Sequence, residues 1–325
     1  MGSDSLDRQL AKYLSDAYSI EKQALVQMER APGIAGDPRL AKLFEDHLHE
    51  TERHERLIRE RLEAHGGSPS AIKDAVMEAG GVGFALFAKV QPDTPGKLVA
   101  HAHSYEALEE ASYELLAHVA ERAGDAETVA VARRIEGEER AMKERLAGVF
   151  DIAAEASLRD LEPDDMDEQL IKYLADAHAL EQQLISLLER GPSIVGDPVL
   201  GRLFEEHLAE TREQERLVEE LLTQKGGRTN ALKDAAMSVG GLNWGGFFAA
   251  HPDTPGKLAA FAYAFEHLEI AGYQLLKRVA THAADGHAIQ VAEQIAAQER
   301  LAAEKIAAEF AHAADASLEA VGVAG

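Results

Sequence analysis

The chain repeats itself at a fixed spacing of 160 residues. Residues 6–158 are identical to residues 166–318 at 73 of 153 positions, with no insertion or deletion, and residues 92–98 recur unchanged as 252–258. A period near 160 greatly exceeds the roughly 20–50 residues of a solenoid repeat, so each copy is expected to be a complete domain. The predicted domains are residues 1–160 and 161–325.

Composition narrows the classes of function. The chain has 57 acidic and 33 basic residues, a net charge of −24 and no cysteine. The lack of cysteine excludes disulfides, zinc–thiolate sites and cysteine nucleophiles. Because no basic cluster is present, nucleic acid is not an expected partner. No membrane partner is expected either, since no apolar run approaches the roughly 18–20 residues that span a bilayer. Without a secretory signal at the start, a cytoplasmic location is expected.

Each copy reads as four long helices. In copy one these are expected at residues 6–30, from 38 to the glycine pair at 66–67, at 94–122 and at 125–156. Asp37 and Asp125 are the predicted N-caps, and Pro38 and Pro95 are helix-starting prolines. About 30 residues separate helices two and three, including a predicted short helix at 71–79 and a glycine-rich turn. The predicted fold class is all-α: two tandem ferritin-like four-helix bundles, each with a long crossover containing a short extra helix.

Carboxylates interrupt the apolar seam of every long helix. Core-facing positions recur in steps of three and four residues, and near the middle of each helix the series meets Glu or His. With a rise of about 1.5 Å per residue, these positions lie within one turn of a common height. They are Glu21, His47, Glu50, Glu106, Glu109 and Glu139 in copy one, and Glu181, His207, Glu210, Glu266, Glu269 and Glu299 in copy two.

Such a layer requires a source of compensating charge. A buried ionised carboxylate costs several kcal/mol, and neighbouring carboxylates repel each other. Shared protons are one solution. Two divalent cations per bundle are another, since five carboxylates and two such ions leave a charge near −1. Oxygen-rich sites with one imidazole suit iron or manganese, so these metals are the predicted cofactors.

Some residues near this layer have alternative interpretations. His47 alone could be a core histidine, but the His-x-x-Glu spacing, which recurs in copy two, favours a ligand. His54 aligns with Gln214, which favours a supporting role over a ligand role. Tyr113 and Tyr273 follow Glu109 and Glu269 by one turn, where core packing or a hydrogen bond to a ligand carboxylate would both explain them.

The motifs resemble the YciE/YciF group of ferritin-like proteins, a bacterial stress-associated family. The resemblance rests on FEHLEIAGY at residues 265–273 and on His207-x-x-Glu210-Thr211. It implies a four-helix bundle with an extra short helix, dimerisation and a metal site between the helices formed by the twelve residues named above. Copy one departs from the family pattern at Ala107 and Glu110, where copy two has His267 and Ile270. Copy two is therefore expected to keep the intact site.

Two kinds of function remain open at this stage. The first is a di-metal redox enzyme whose small oxidant is peroxide or oxygen; the reversed His-x-x-Glu order and the few nitrogen ligands count against it. The second is a non-catalytic stress protein that binds metal or uses it as a structural pin. In either case, tandem fusion predicts an intramolecular pseudo-dimer, with the two copies face to face about a pseudo-two-fold axis.

Overall fold

The computed structural model describes residues 2–68, 94–227 and 254–323, with side chains from Ser5 onward. Regular structure in these ranges consists of ten α-helices and one short 3-10 helix. The chain divides into two compact units between Arg159 and Asp160. The predicted all-α fold of two tandem helical bundles is confirmed. No described helix is both long and apolar enough to cross a lipid bilayer.

Unit one contains four long helices and a short fifth one. Helix α1 (Gly2–Ile34) packs on α2 (Pro38–Ala64), and α3 (Thr94–Ala123) packs on α4 (Ala126–Ala147). Contacts between α1 and α3 and between α2 and α4 join these two hairpins. The short helix α5 (Phe150–Leu158) packs on α3. Because the hairpin links are short and the link between hairpins is long, the connectivity is that of a ferritin-like bundle.

Unit two has the same order of elements. After the 3-10 turn at Pro163–Asp165, its helices are α6 (Met166–Val195), α7 (Pro198–Gln224), α8 (Thr254–His282), α9 (Gly286–Ala308) and α10 (Phe310–Ala320). They pair as in unit one, α6 with α7 and α8 with α9, and α10 packs on α8. The predicted short helix at 71–79 and the glycine-rich stretches at 80–83 and 240–241 lie outside the described residues.

Aspartate side chains cap the starts of four of the described helices. Asp37 accepts a hydrogen bond of 2.8 Å from the backbone N–H of Arg39, ahead of the helix-starting proline at position 38. Asp125 likewise accepts from the N–H groups of Glu127 and Thr128. These bonds satisfy donors that a helix leaves free in its first turn, and the two predicted N-caps are confirmed.

Two predicted helix ends are wrong. Helix α1 does not end at residue 30 but continues to Ile34 with Pro32 in its last turn, and the left-handed residue that follows is Gly36 (φ 70°). The fourth helix does not run to residue 156. It ends at Ala147, and α5 begins at Phe150, whose side chain is buried against His103 at a ring-centroid distance of 5.3 Å. Burial of Phe150 therefore accompanies the break between α4 and α5, which no local signal predicts.

Candidate metal centre

The seam residues of unit one meet inside the bundle. Glu21 comes from α1, His47 from α2 and Glu139 from α4, so three separate helices supply them, and α3 supplies two more. Each of the five side chains is at most 1% exposed: Glu21, His47, Glu106, Glu109 and Glu139. These five residues therefore lie together in the core, in agreement with the axial heights estimated from helix rise.

His47 and two carboxylates form the first group of potential ligands. Nε2 of His47 lies 3.1 Å from Oε2 of Glu106 and 3.7 Å from Oε2 of Glu139. One ligand atom from each of the three residues lies within 4.8 Å of the others. Nevertheless, Nε2 of His47 and both oxygens of Glu106 make no hydrogen bond, so these atoms are close together without satisfying one another.

His54 belongs to a second group, which sequence reasoning did not place among the ligands. Its Nδ1 atom lies 2.6 Å from Oε1 of Glu139 and 4.0 Å from Oε1 of Glu21. The imidazole is completely buried. The His-x₆-His spacing on α2 puts His54 two turns from His47 on the same face, which is a signal the sequence does contain. The alignment of His54 with Gln214 in copy two points the other way.

Tyr113 makes the hydrogen bond to a cluster carboxylate that is one of the two explanations offered for it. Its hydroxyl donates to Oε1 of Glu21, and in unit two Tyr273 donates to Oε1 of Glu181. Both tyrosines are also fully buried, so they pack in the core and orient a carboxylate at the same time.

Glu50 lies at the outer edge of the cluster. Its side chain is 27% exposed, Nδ1 of His47 donates to it at 2.9 Å, and Arg145 forms an ion pair with it at 2.5 Å. Although partial burial opposes the shift, the hydrogen bonds from His47 and Arg145 lower the pKa of Glu50 to about 2. In unit two, Glu210 is 41% exposed and pairs with Lys305. The structure thus places both residues beside the histidine and not among the buried carboxylates; a ligand role for them stays a prediction.

Unit two holds one such group among its described residues. Nε2 of His207 lies 2.9 Å from Oε1 of Glu266 and 3.8 Å from Oε2 of Glu299. Glu181 and Glu269 are also fully buried. Like Glu109, Glu269 lies beside the groups of closely spaced ligand atoms without belonging to one.

Burial dominates the electrostatics of both clusters. Loss of solvent raises the pKa of Glu21 to about 8, of Glu106 to about 7 and of Glu266 to about 8. The same burial, together with repulsion from neighbouring carboxylates, raises the pKa of Glu109 and Glu269 well above 4.5. Without a cation, several of these groups therefore hold protons near neutral pH.

The buried atoms that lack partners fit a metal ion. Both oxygens of Glu106, Glu266 and Glu269 are buried without a hydrogen bond, as is Nε2 of both His47 and His207. Buried polar atoms are normally hydrogen-bonded, so a cluster of exceptions requires an explanation. Carboxylate oxygens around one imidazole nitrogen are a donor set suited to iron or manganese.

Comparison with known families covers nearly all of the chain. The sequence model of a family described as "Domain of unknown function (DUF892)" matches residues 5–158 and 165–319, one match for each copy. No solved structure matches the chain.

Proposed function

Since the chain belongs to the DUF892 family, whose description assigns no reaction, we propose its function from the buried clusters: each unit is a ferritin-like bundle that binds iron or manganese. The observation that supports this most directly is the set of buried carboxylate and imidazole atoms that lie within 4.8 Å of one another and lack hydrogen bonds. His47, Glu106 and Glu139 would hold metal in unit one, and His207, Glu266 and Glu299 in unit two.

The second contact of His47 supports this assignment. A histidine ligand commonly donates its other ring N–H to a carboxylate, which fixes the ring and makes the ligand nitrogen more basic. His47 has this arrangement, with Nδ1 bonded to Glu50 and Nε2 facing the buried carboxylates. The predicted importance of Glu50 is thus compatible with a role outside the ligand set.

An open pocket on unit one leads toward these contacts. It has a volume of about 520 Å³ and is lined by Glu50, Glu138 and Arg145, among others. Glu50 and Glu138 each bond a histidine of the cluster. The pocket therefore adjoins the carboxylates that bond the outer nitrogens of His47 and His54, and it is lined by both acidic and basic groups.

Removing the central carboxylates tests metal binding. The variant Glu139→Gln/Glu299→Gln keeps the side-chain shape but removes a charge from each cluster. We expect wild-type protein purified without added metal to carry iron or manganese, and the double variant to lose most of it, as measured by elemental analysis. Glu45→Gln/Glu205→Gln, at exposed positions of α2 and α7, is the matched control. Equal metal content in all three proteins would contradict the proposal.

We further propose redox chemistry with peroxide or oxygen, which bound iron or manganese would supply through one-electron steps. Consumption of hydrogen peroxide by metal-loaded wild type, lost in Glu139→Gln/Glu299→Gln, would support an enzyme. Stoichiometric binding that raises the melting temperature without turnover would support the second candidate, a non-catalytic metal-binding protein. The resemblance to the YciE/YciF group supports a role in stress responses for either.

The tandem repeat is compatible with an intramolecular pseudo-dimer, and we propose that one chain takes the place of a dimer of single bundles. Sedimentation analysis should then give the mass of one chain, 35.2 kDa. Twice that mass would contradict this part of the proposal. A cytoplasmic location stays a prediction.

A further inference from the structure

The Glu139 carboxylate faces two histidines. Its Oε1 atom lies 2.6 Å from Nδ1 of His54, and its Oε2 atom lies 3.7 Å from Nε2 of His47. The two oxygens of this side chain therefore belong to different groups of ligand atoms, one with Glu21 and His54 and the other with His47 and Glu106. A carboxylate in this position can bridge two cations, each with its own imidazole.

Each of the two histidines donates a hydrogen bond from its outer ring nitrogen to a carboxylate at the edge of the cluster. Nε2 of His54 donates to Oε2 of Glu138 at 2.6 Å, just as Nδ1 of His47 donates to Glu50 at 2.9 Å. Arg53 and Arg134 donate to the same Glu138 carboxylate. The outer nitrogen of each ring is thus used, which leaves the inner nitrogen as the one available to a ligand in the core.

The inner atoms of the His54 group lack hydrogen bonds. Nδ1 of His54, Oε2 of Glu21 and both oxygens of Glu139 are buried without one. Each of these side chains is at most 1% exposed. The unsatisfied His54 nitrogen, in a fully buried ring and beside two carboxylates, is an observation independent of the acidic cluster itself and indicates a ligand.

In unit two, a glutamine amide stands at the corresponding place beside the cluster. Gln214 occupies the position of His54, and its Nε2 atom donates to Oε1 of Glu299. Gln298 stands where unit one has Glu138, and it also accepts from the Gln214 amide, at 3.4 Å. The oxygen that faces a histidine in unit one is therefore already hydrogen-bonded in unit two. The imidazole nitrogen and its outer carboxylate are both replaced.

We propose that Glu21, His54 and Glu139 form a second metal site that is present in unit one and has no counterpart among the described residues of unit two. Unit one then binds two divalent ions of the iron or manganese class, bridged by Glu139, and unit two binds one at His207. Among the described residues, the three groups of closely spaced ligand atoms correspond to three ions, not four. This inference rests on the proposed function, and it reverses the expectation that copy two keeps the more complete site.

Reciprocal exchange of the two residues tests the proposal. Each protein is stripped with chelator, loaded with Mn²⁺ and desalted, and bound manganese is counted by elemental analysis. We expect three ions in wild type. His54→Gln should lower the count by one ion. Gln214→His combined with Gln298→Glu should raise it by one. His49→Gln, at an exposed position of the same helix, is the control and should leave the count unchanged.

Electron paramagnetic resonance gives a readout independent of the count. Two Mn²⁺ ions bridged by Glu139 couple magnetically, so wild type should show a coupled spectrum that His54→Gln converts to that of isolated ions. An unchanged count and spectrum in His54→Gln would overturn the second site while leaving metal binding itself intact. If wild type bound no manganese or iron, the proposed function would fail, and the second site with it.

Discussion

At the scale of single residues, the two units fill two equivalent buried positions with different side chains. In unit one, buried Glu110 accepts hydrogen bonds from buried Lys143 and from Arg140, whose side chain is half exposed. Burial lowers the pKa of Lys143 despite its partner. Unit two has Ile270 and Ala303 at the positions of Glu110 and Lys143, both buried. Apolar side chains can replace a buried ion pair at little cost, whereas loss of one partner leaves an uncompensated charge.

The buried pair gives the first prediction. Glu110→Ile alone leaves Lys143 without its main partner and should lower the free energy of unfolding by about 3 kcal/mol. Adding Lys143→Ala, which reproduces unit two, should recover most of this loss. Urea denaturation of the metal-free proteins measures both changes. A double variant as unstable as the single one would show that the ion pair itself contributes the stability.

A second prediction at this scale concerns Tyr113. Tyr113→Phe removes only the hydroxyl that donates to Glu21, so the fold should persist with a loss of about 1–2 kcal/mol in unfolding free energy. Because the hydroxyl orients a carboxylate of the cluster, manganese affinity of unit one should fall about tenfold. Tyr273→Phe is the matched change in unit two. If both variants bound metal as wild type does, the tyrosines would serve packing alone.

At the scale of helices, α5 and α10 each supply a cap for the start of another helix, α3 and α8 respectively. The Ser157 hydroxyl on α5 accepts a hydrogen bond of 2.8 Å from the backbone N–H of Gly96, in the first turn of α3. In unit two, Ser317 accepts from Gly256 in the same way at 2.7 Å. The first turn of a helix has no internal partners for its N–H groups, so each serine caps a helix distant in sequence.

The remote cap gives the third prediction. Ser157→Ala should lower the free energy of unfolding by about 1–2 kcal/mol, since a buried N–H then loses its acceptor. Ser112→Ala is the control, because the Ser112 hydroxyl donates to Leu108 within its own helix, and it should change stability by less than about 0.5 kcal/mol. Equal effects of the two substitutions would contradict a capping role.

Local signals explain which helix limits could be predicted. The starts at Asp37 and Asp125 follow from cap residues whose side chains bond to N–H groups two or three residues later. The break before Phe150 has no comparable signal. Gly148 lies at that break in unit one, but the matching break in unit two falls at Glu309, so glycine is not its common cause. Burial of Phe150 and Phe310 is common to both, and it depends on tertiary packing.

For the candidate site as well, part of the arrangement could be predicted from the sequence and part could not. Helical periodicity and rise identify which carboxylates face the core, and Glu21, Glu106 and Glu139 lie there as predicted from those rules alone. They do not fix side-chain direction. Glu50 lies at the outer edge of the cluster, where Arg145 from another helix forms an ion pair with it. His54 turns inward between Glu138 and Glu139, and neither contact can be inferred from α2 by itself.

At the scale of the whole molecule, both units bury more acidic groups than their basic partners neutralise. The pKa of Glu21 and of Glu266 is raised by burial to about 8. Between pH 4.5 and 8 the folded chain therefore retains protons that the unfolded chain has released. Stability contributed by these groups is present at low pH and is lost as pH rises. His54 acts in the same direction, since neighbouring carboxylates outweigh its burial and raise its pKa to about 9.

This balance gives the fourth prediction. In the presence of chelator, the urea midpoint of the chain should be lower at pH 8 than at pH 5.5. Manganese should reverse the trend, because it binds deprotonated ligands and its stabilisation grows with pH. Glu109→Gln/Glu269→Gln removes two of the buried titrating groups and should flatten the dependence of the metal-free chain. A midpoint that rose with pH in chelator would contradict the prediction.

The two versions of the cluster belong to one polypeptide, so translation of a single messenger RNA always produces both. Changes in transcription, messenger decay or protein turnover alter the total amount of both versions but never their one-to-one proportion. Separately encoded subunits would also form like-with-like assemblies, which covalent linkage prevents. A difference such as that between His54 and Gln214 is therefore inherited as a fixed asymmetry within every molecule, with no need for expression to be balanced.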